Sequence, residues 1–350
     1  MARWIFHVDL DEFIAAVEVL RHPELAGVPV VVGGDGDPAK RGVVSTASYE
    51  ARKFGIRSGM PLRTAYRKNP DAVFLPVDAD EYLAASRKVM ETLRSFPAVV
   101  QVAGWDEAYM AAETDEPESF AREVQQVVLE RTGLWSTIGV GDNKLRAKIA
   151  AGFGKPRGVF TLTASNWDEV MGGLSTDALH GIGRKTASKL ESLGIRTVAQ
   201  LAAADEDALA KRFGPNTGPW LRALAAGEDA SPVTSEPYVA RGHGRERTFQ
   251  RDLTDLDEIR AEVGRLAREV TVDIEKEHRP AIRITVKVRF APFFTSTHSV
   301  PADEPTSDPE VLEALALRAL ERFELDRPIR LLGVRAEMQD PSESEEVASS

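Results

Sequence analysis

The chain has 350 residues, a formal net charge of -11 and no cysteine, so it is too long for one ordinary core and predicts about two to four domains. Disulfides and thiolate metal sites are excluded. No apolar stretch approaches the roughly 20 residues of a membrane span and no signal-peptide pattern opens the sequence, so a soluble cytoplasmic protein is expected.

In chain order, "RWIFHVDL" (3–10) sets Trp4, Phe6, Val8 and Leu10 on one face, the alternation of a strand, and "DEFIAAVEVL" then fits a helix. "VPVVVGG" (28–34) and "GVVSTAS" (42–48) are β-branched runs bounded by glycine, and "EARKFG" is a short helix that Gly55 stops. A helix is expected over 78–96, two strands over 98–113 around the turn 104–107, a helix over 118–133, a strand over 135–141 and a helix in "NKLRAKIAAGFG". This mixed α/β region gives way over 165–227 to a helical, glycine-punctuated pattern. A polar stretch, 228–244, predicts a linker. A small α+β domain follows: helix 254–277, strand 281–290, a strand near "FFTSTHSV", helix 308–323 and strand 329–338. The tail "QDPSESEEVASS" is of low complexity and is expected to be disordered.

Carboxylates at the ends of buried strands are costly unless a cation compensates them. Asp9 and Asp11 follow the first apolar run, and Asp106 and Glu107 stand between two later strands. In an antiparallel sheet Asp9, Asp106 and Glu107 could converge on hard divalent cations that prefer oxygen ligands, and two such ions would align an in-line phosphoryl displacement. The alternative is that Asp9 or Asp11 caps the helix that follows.

A second constellation adds hydroxyls and cations. Thr46, Tyr49, Arg52 and Lys53 surround a helix start, and Lys144, Lys148 and Lys155 lie in "GDNKLRAKIAAGFGKPRG" (141–158). Such groups suit a triphosphate, although solvated helix faces would look the same.

"HVDLDEF", "STASYEARKFGIRSGMP", "DEAY" and "GVGDNKLRAKIAAGFGKPRG" together resemble, in order and spacing, the Y-family translesion DNA polymerases, and look most like the DinB (polymerase IV) branch. The resemblance spans about residues 3 to 340. It implies an α/β (α+β) multidomain right hand: palm over 1–20 and 79–164, fingers over 21–78, thumb over 165–228, a linker over 229–244, a little finger over 245–340, and a disordered tail from 341 to 350. It further implies a DNA-directed DNA polymerase acting on primer-template DNA and dNTPs with two Mg²⁺ ions, for which Mn²⁺ could substitute.

By the same resemblance Asp9 and Asp106 are metal ligands, Glu107 is the adjoining catalytic and metal-binding glutamate, and the Leu10 carbonyl is a further ligand. Asp11 keeps helix capping as its expected role. Tyr49, Arg52 and Lys155 match contacts to the triphosphate, with Thr46 a further one. Small residues such as Ala47 and Ser48 near the base pair would suit an open, lesion-tolerant site.

"LHGIGRKTASKLESLGIRTVAQL" (179–201) resembles a helix-hairpin-helix whose Gly181 and Gly183 bare backbone amides to a DNA phosphate beside Lys185. In the last domain Arg241, Arg245 and Arg247, then Arg279, Arg283, Lys287 and Arg289, form basic stretches that would follow the duplex backbone without reading sequence. The acidic average argues against a polyanionic partner, but much of the excess lies in "ADEDA", "ADEPTSDPE" and the tail.

Ile14 departs from the family, which carries Phe or Tyr there to exclude a 2′-hydroxyl. The expectation is relaxed sugar selection, with rNTPs used as well as dNTPs, unless Phe13 or a backbone shift restores the exclusion. Glu12 replaces a Cys or aromatic, and Trp105 is expected to pack. The C-terminus lacks a clamp-binding hydrophobic peptide, so a sliding-clamp partner is in doubt, and a monomer is expected. Two rivals are a nucleotide cyclase, which would need no helix-hairpin-helix, and a catalytically dead scaffold, which would lack one of the three acids.

Overall fold

The computed structural model describes residues 2–341 and divides between Pro237 and Tyr238 into two compact units. The first unit runs β1 (Ala2–Leu10), α1 (Phe13–Arg21), β2 (Val30–Val32), β3 (Thr46–Ala47), α2 (Tyr49–Lys53), α3 (Leu62–Lys68), β4 (Val73–Leu75), α4 (Ala79–Arg94), β5 (Val99–Val102), β6 (Glu107–Thr114), α5 (Pro117–Thr132), β7 (Ser136–Gly141), α6 (Lys144–Gly154) and β8 (Val159–Leu162). Five helices complete it: α7 (Trp167–Met171), α8 (Arg184–Glu191), α9 (Val198–Ala202), α10 (Glu206–Phe213) and α11 (Thr217–Ala225).

A five-stranded sheet in the order β5-β6-β1-β7-β8 forms the frame. The alternation along β1 decides its faces. Phe6, Val8 and Leu10 enter a core with Tyr82 and Leu93 of α4 and Val124 and Val128 of α5, while Ile5 on the other face packs on Ala147 of α6. That second approach depends on glycine in β7. A Cβ on Gly139 would lie 2.0 Å from the Ala147 carbonyl oxygen and 2.3 Å from the Ala151 amide nitrogen. With hydrogen there instead, α6 lies flat on the sheet.

A smaller sheet, β3-β2-β4, carries its own core of Val31, Val44, Ile56 and Leu62. The flanking Val30 and Val32 turn back into the core under β1, so period-two alternation in three residues joins the two layers. The helices from α7 onward bury Leu179, Leu190, Leu201 and Leu221 against Leu145 and Ile149 of α6 and Leu162 of β8. β8 was not expected from the sequence. The stretch expected to be a linker is not free over its first part: Val233 is buried among Ile5, Ala111 and Ala147, and Lys144 Nζ donates to the Pro232 carbonyl at 3.5 Å.

The second unit is β9 (Gly242–Leu253), α12 (Leu256–Lys276), β10 (Ala281–Phe290), β11 (Phe294–Thr306), α13 (Pro309–Leu320) and β12 (Ile329–Met338). Its strands pair in the order β11-β10-β12-β9, and α12 and α13 share one core with one sheet face. β9 was not expected as a strand, and it starts inside the expected linker. Residues 342–350 of the acidic tail lie outside the described residues.

Candidate active site

Asp9 is the next-to-last residue of β1. Its cross-strand partner in β6 is Glu107, and its partner in β7 is Thr137. The Leu10 amide donates to the Asp106 carbonyl at 2.8 Å, which draws the turn before β6 onto the end of β1. Acids about a hundred positions apart in sequence thus meet at one sheet edge. His7, Asp9 and Glu107 each offer a ligand atom within 4.8 Å of the others. His7 was not expected at this site, although its place two residues before Asp9 on an alternating strand puts it on the same face.

Two lysines from α6 and the residue after it balance the acids. Lys148 Nζ donates to Glu107 Oε2 at 2.5 Å, with His7 Nε2 3.1 Å from the same oxygen. Lys155 Nζ is 2.6 Å from Asp9 Oδ1. The hydrogen bond to His7 and then the Lys148 ammonium hold the Glu107 carboxyl at about 2, well below its ordinary value. Asp106 moves the other way: burial and then the negative charge of Asp9 raise it. A cleft of about 400 Å³ opens beside these groups, lined by His7, Asp9, Lys148, Phe153, Lys155 and His180.

Asp11 does not cap α1. The N-cap residue is Glu12, in the left-handed region at φ 43°, with no side-chain cap bond. Asp11 is instead 2% exposed and accepts from Tyr49 Oη at 2.8 Å, Thr137 Oγ1 at 2.9 Å and the Arg157 amide at 2.8 Å. The reason is the left-handed turn at Glu12, which carries the chain around so that Asp11 stays on the sheet. Glu12 reaches the Tyr49 amide, so adjacent carboxylates hold both ends of Tyr49. Burial and then Asp11 raise the Tyr49 phenol well above its ordinary value.

Three family models match the chain: the impB/mucB/samB family over residues 8–152, its C-terminal domain over 240–347, and a DNA polymerase-iota thumb domain over 177–229. A DNA polymerase IV 2 from Mycobacterium tuberculosis (strain ATCC 25618 / H37Rv) is 48% identical over 340 residues, covering 96% of this chain and 98% of its own. The chain belongs to the Y family of DNA polymerases, in its DNA polymerase IV branch.

Another DNA polymerase IV 2, from Methanosarcina mazei, is 38% identical over 338 residues, covering 95% of this chain and 91% of its own. Among solved structures, a Y-family chimera of Dbh and Dpo4 superposes with a TM-score of 0.85 at 28% identity, over 95% of this chain and 98% of that one. An insertion ternary complex of Dbh DNA polymerase gives 0.67 at 28% identity, over 96% and 98%. The protein is a DNA-directed DNA polymerase of the translesion type, with the mixed α/β fold and the thumb domain of that family.

In this polymerase the remaining expected residues divide into several environments. Phe13 is 3% exposed in the core below β1, whereas Ile14 is half-buried beside it. Thr46 is half-buried in β3. Arg52 stacks 4.8 Å from the Tyr49 ring centroid and donates from Nε to the Ala47 carbonyl at 2.9 Å. Ala47 is fully buried in the small sheet's core and Ser48 is 3% exposed. Ser48 Oγ accepts from the amides of Val30 at 2.9 Å and Ala51 at 3.2 Å. Both residues therefore serve the fold, not an open surface. Trp105, expected to pack, is 44% exposed. Gly181 has φ +100° and lies under Trp220, Gly183 leads α8 without a side-chain cap, and Lys185 is exposed.

The basic strands do not form one stripe. Arg245 and Arg247 stand opposite the buried Val334 and Leu332 and so share the helix-covered face. Arg245 makes a bidentate pair with Asp273 of α12 at 2.6 and 2.7 Å, and Arg247 Nη1 lies 3.3 Å from Glu262. Arg283 and Lys287, opposite Glu337 and Gly333, lie on the other face, as does Arg289. Arg283 pairs there with Glu337 at 3.0 Å, Lys287 with Glu246, and Arg289 Nε donates to Thr295 Oγ1 at 2.9 Å. Arg279 belongs to neither face: it donates to the backbone carbonyls of Ala240 at 2.7 Å and Gln339 at 2.6 Å.

Proposed function

We propose that this chain joins a nucleotide to a primer end by a two-cation mechanism, with Asp9, Asp106 and the Leu10 carbonyl holding divalent ions and Glu107 on the primer side. The observation that carries the reading is the Asp9–Glu107 cross-strand pair with Asp106 tied to Leu10. The donors are oxygens, which suits Mg²⁺ and also Mn²⁺. Burial and then the Asp9 charge raise the Asp106 carboxyl, and bound cations would offset both. Bound there, the ions would lower the pKa of the primer 3′-hydroxyl and neutralise triphosphate charge.

The chain's own groups do the remainder. Lys155, Arg52, Tyr49 and Thr46 bind the triphosphate of an incoming dNTP, so that the 3′-oxygen attacks the α-phosphorus and pyrophosphate leaves. The five-stranded sheet is the palm, the small sheet the fingers, the helices from α7 to α11 the thumb, and the second unit the little finger. Primer-template DNA is held by the amides at Gly181 and Gly183 with Lys185, and by Arg283, Lys287 and Arg289. The polymerase acts as a monomer.

Phe13 is committed to the core, so sugar selection falls to Ile14, whose aliphatic side chain offers no ring against a 2′-hydroxyl. rNTPs are therefore incorporated as well. Primer extension with and without Mg²⁺, using dNTP and rNTP pools separately, tests the reading. Extension that needs no divalent ion would overturn the mechanism, and rejection of every rNTP would overturn the sugar assignment.

A further inference from the structure

Asp11 is a buried carboxylate whose three acceptor contacts reach residues 38, 126 and 146 positions away. One of those arms ends at an expected triphosphate group and another ends close to a second. One holds the Tyr49 hydroxyl. The other holds the amide of Arg157, two residues beyond Lys155.

That second arm fixes an unfavourable turn. Arg157 has φ +60°, a left-handed conformation that side chains other than glycine and asparagine rarely adopt. Its surroundings hold it there. The amide donates to Asp11 and also reaches Thr137 Oγ1 at 3.0 Å. Its carbonyl accepts from Gln125 Nε2 at 3.1 Å, and its guanidinium lies 5.0 Å from the Trp135 ring. Asp11 itself is fixed by donating its amide to the Trp135 carbonyl at 2.9 Å.

We infer that Asp11 is a positioning residue for the incoming nucleoside triphosphate. One carboxylate sets the Lys155–Arg157 turn and the fingers residue Tyr49 against the same sheet, so the phosphate-binding groups stand in place before nucleotide arrives. The inference rests on the polymerase reading above. Asp11 touches neither primer nor triphosphate; it acts through Lys155 and Tyr49. When the Tyr49 hydroxyl turns to donate its hydrogen bond to phosphate, Asp11 keeps Thr137 and the Arg157 amide.

Steady-state single-nucleotide insertion decides it. Asp11→Ala removes all three acceptor contacts, and the KM for dNTP is expected to rise about tenfold or more, as for loss of a buried charged acceptor. kcat should change less than KM, and primer-template affinity should be unchanged. Asp11→Asn should recover most of the loss, because its amide can accept from Arg157 while donating to both hydroxyls. The rise should shrink in a Lys155→Ala background. Thr137→Val, which removes one arm without touching the carboxylate, should raise KM about threefold, and it decides the matter should Asp11→Ala not fold. An unchanged KM in the folded Asp11→Ala or the Thr137→Val variant, a loss confined to kcat, or an undiminished rise without Lys155 overturns the inference. A wild-type chain that does not extend primers overturns the polymerase reading and this inference together.

Discussion

Asp9 and Glu107 face each other across the β1–β6 ladder, and the hydrogen bond from Leu10 to Asp106 fixes the neighbouring acid beside them. Removing one of the three leaves the ladder intact, because the pairing is backbone. Asp106→Ala is therefore expected to lower primer extension by about three orders of magnitude or more while DNA affinity and melting temperature stay close to wild type. Extension assays alongside a DNA-binding titration check this; a variant that still extends primers removes Asp106 from the chemistry.

Sugar choice turns on a single helix position. Ile14→Phe should increase discrimination against rNTPs by about a hundredfold, since a ring supplies the repulsion that the aliphatic chain lacks. The ratio of kcat/KM for matched dNTP and rNTP, measured for both proteins, is the readout. Equal ratios would leave Ile14 without a role.

Two glycines near α6 predict opposite outcomes. Gly139→Ala forces a Cβ to within 2.0 Å of the Ala147 carbonyl and should cost about 2 kcal/mol or more, since the packed helix has to move. Gly152→Ala meets nothing within 4 Å and should stabilise by about 0.5 kcal/mol through helix propensity. Urea titration of the two variants checks the pair.

Acid should weaken the second unit in a defined way. Arg245 holds the Asp273 carboxyl below its ordinary value of 3.8. A lowered carboxyl pKa contributes stability above the unfolded value, and the contribution is lost as pH falls through the lower folded value. Asp273→Asn should therefore destabilise by about 1 kcal/mol near pH 7, a modest figure because Arg245 is half exposed. Denaturation at a series of pH values should show the gap to wild type closing below about pH 4.

Faces of the same sheet should separate in DNA binding. Lys287→Ala should weaken primer-template binding and lower the slope of log K against log salt by about 1, whereas Arg245→Ala, committed to α12, should leave that slope unchanged. A matching effect of both substitutions would contradict the assignment of faces.

Much of the fold was readable where periodicity was clean. α4 announces itself by its apolar spacing, because it has one wet and one buried face, and β1 by Trp4, Phe6, Val8 and Leu10, which alternate with a row that is also covered but carries His7 and Asp9. β9 was hidden for the opposite reason. One face is open and the other carries arginines that meet α12 carboxylates, so neither row of side chains is apolar over Gly242–Thr248. β8 is four residues long and pairs in parallel with β7, too short to show a period. At the site, the acids and lysines stood in motifs and the structure brings Asp9, Glu107, Lys148 and Lys155 together. The work of Asp11 could not be read locally, since Tyr49, Thr137 and Arg157 become its neighbours only once the sheet, fingers and turn have assembled.

The alternation along β9 has an evolutionary corollary. Inserting one residue ahead of Arg245 would swing Arg245 and Arg247 to the open side and send Glu246 toward the carboxylates of α12. The open face, which already carries Arg283, Lys287 and Arg289, would gain two arginines and lose a glutamate while the amino-acid inventory barely changed. Relatives differing by such a frame shift could bear near-identical charge counts and yet grip a polyanion with very different strength.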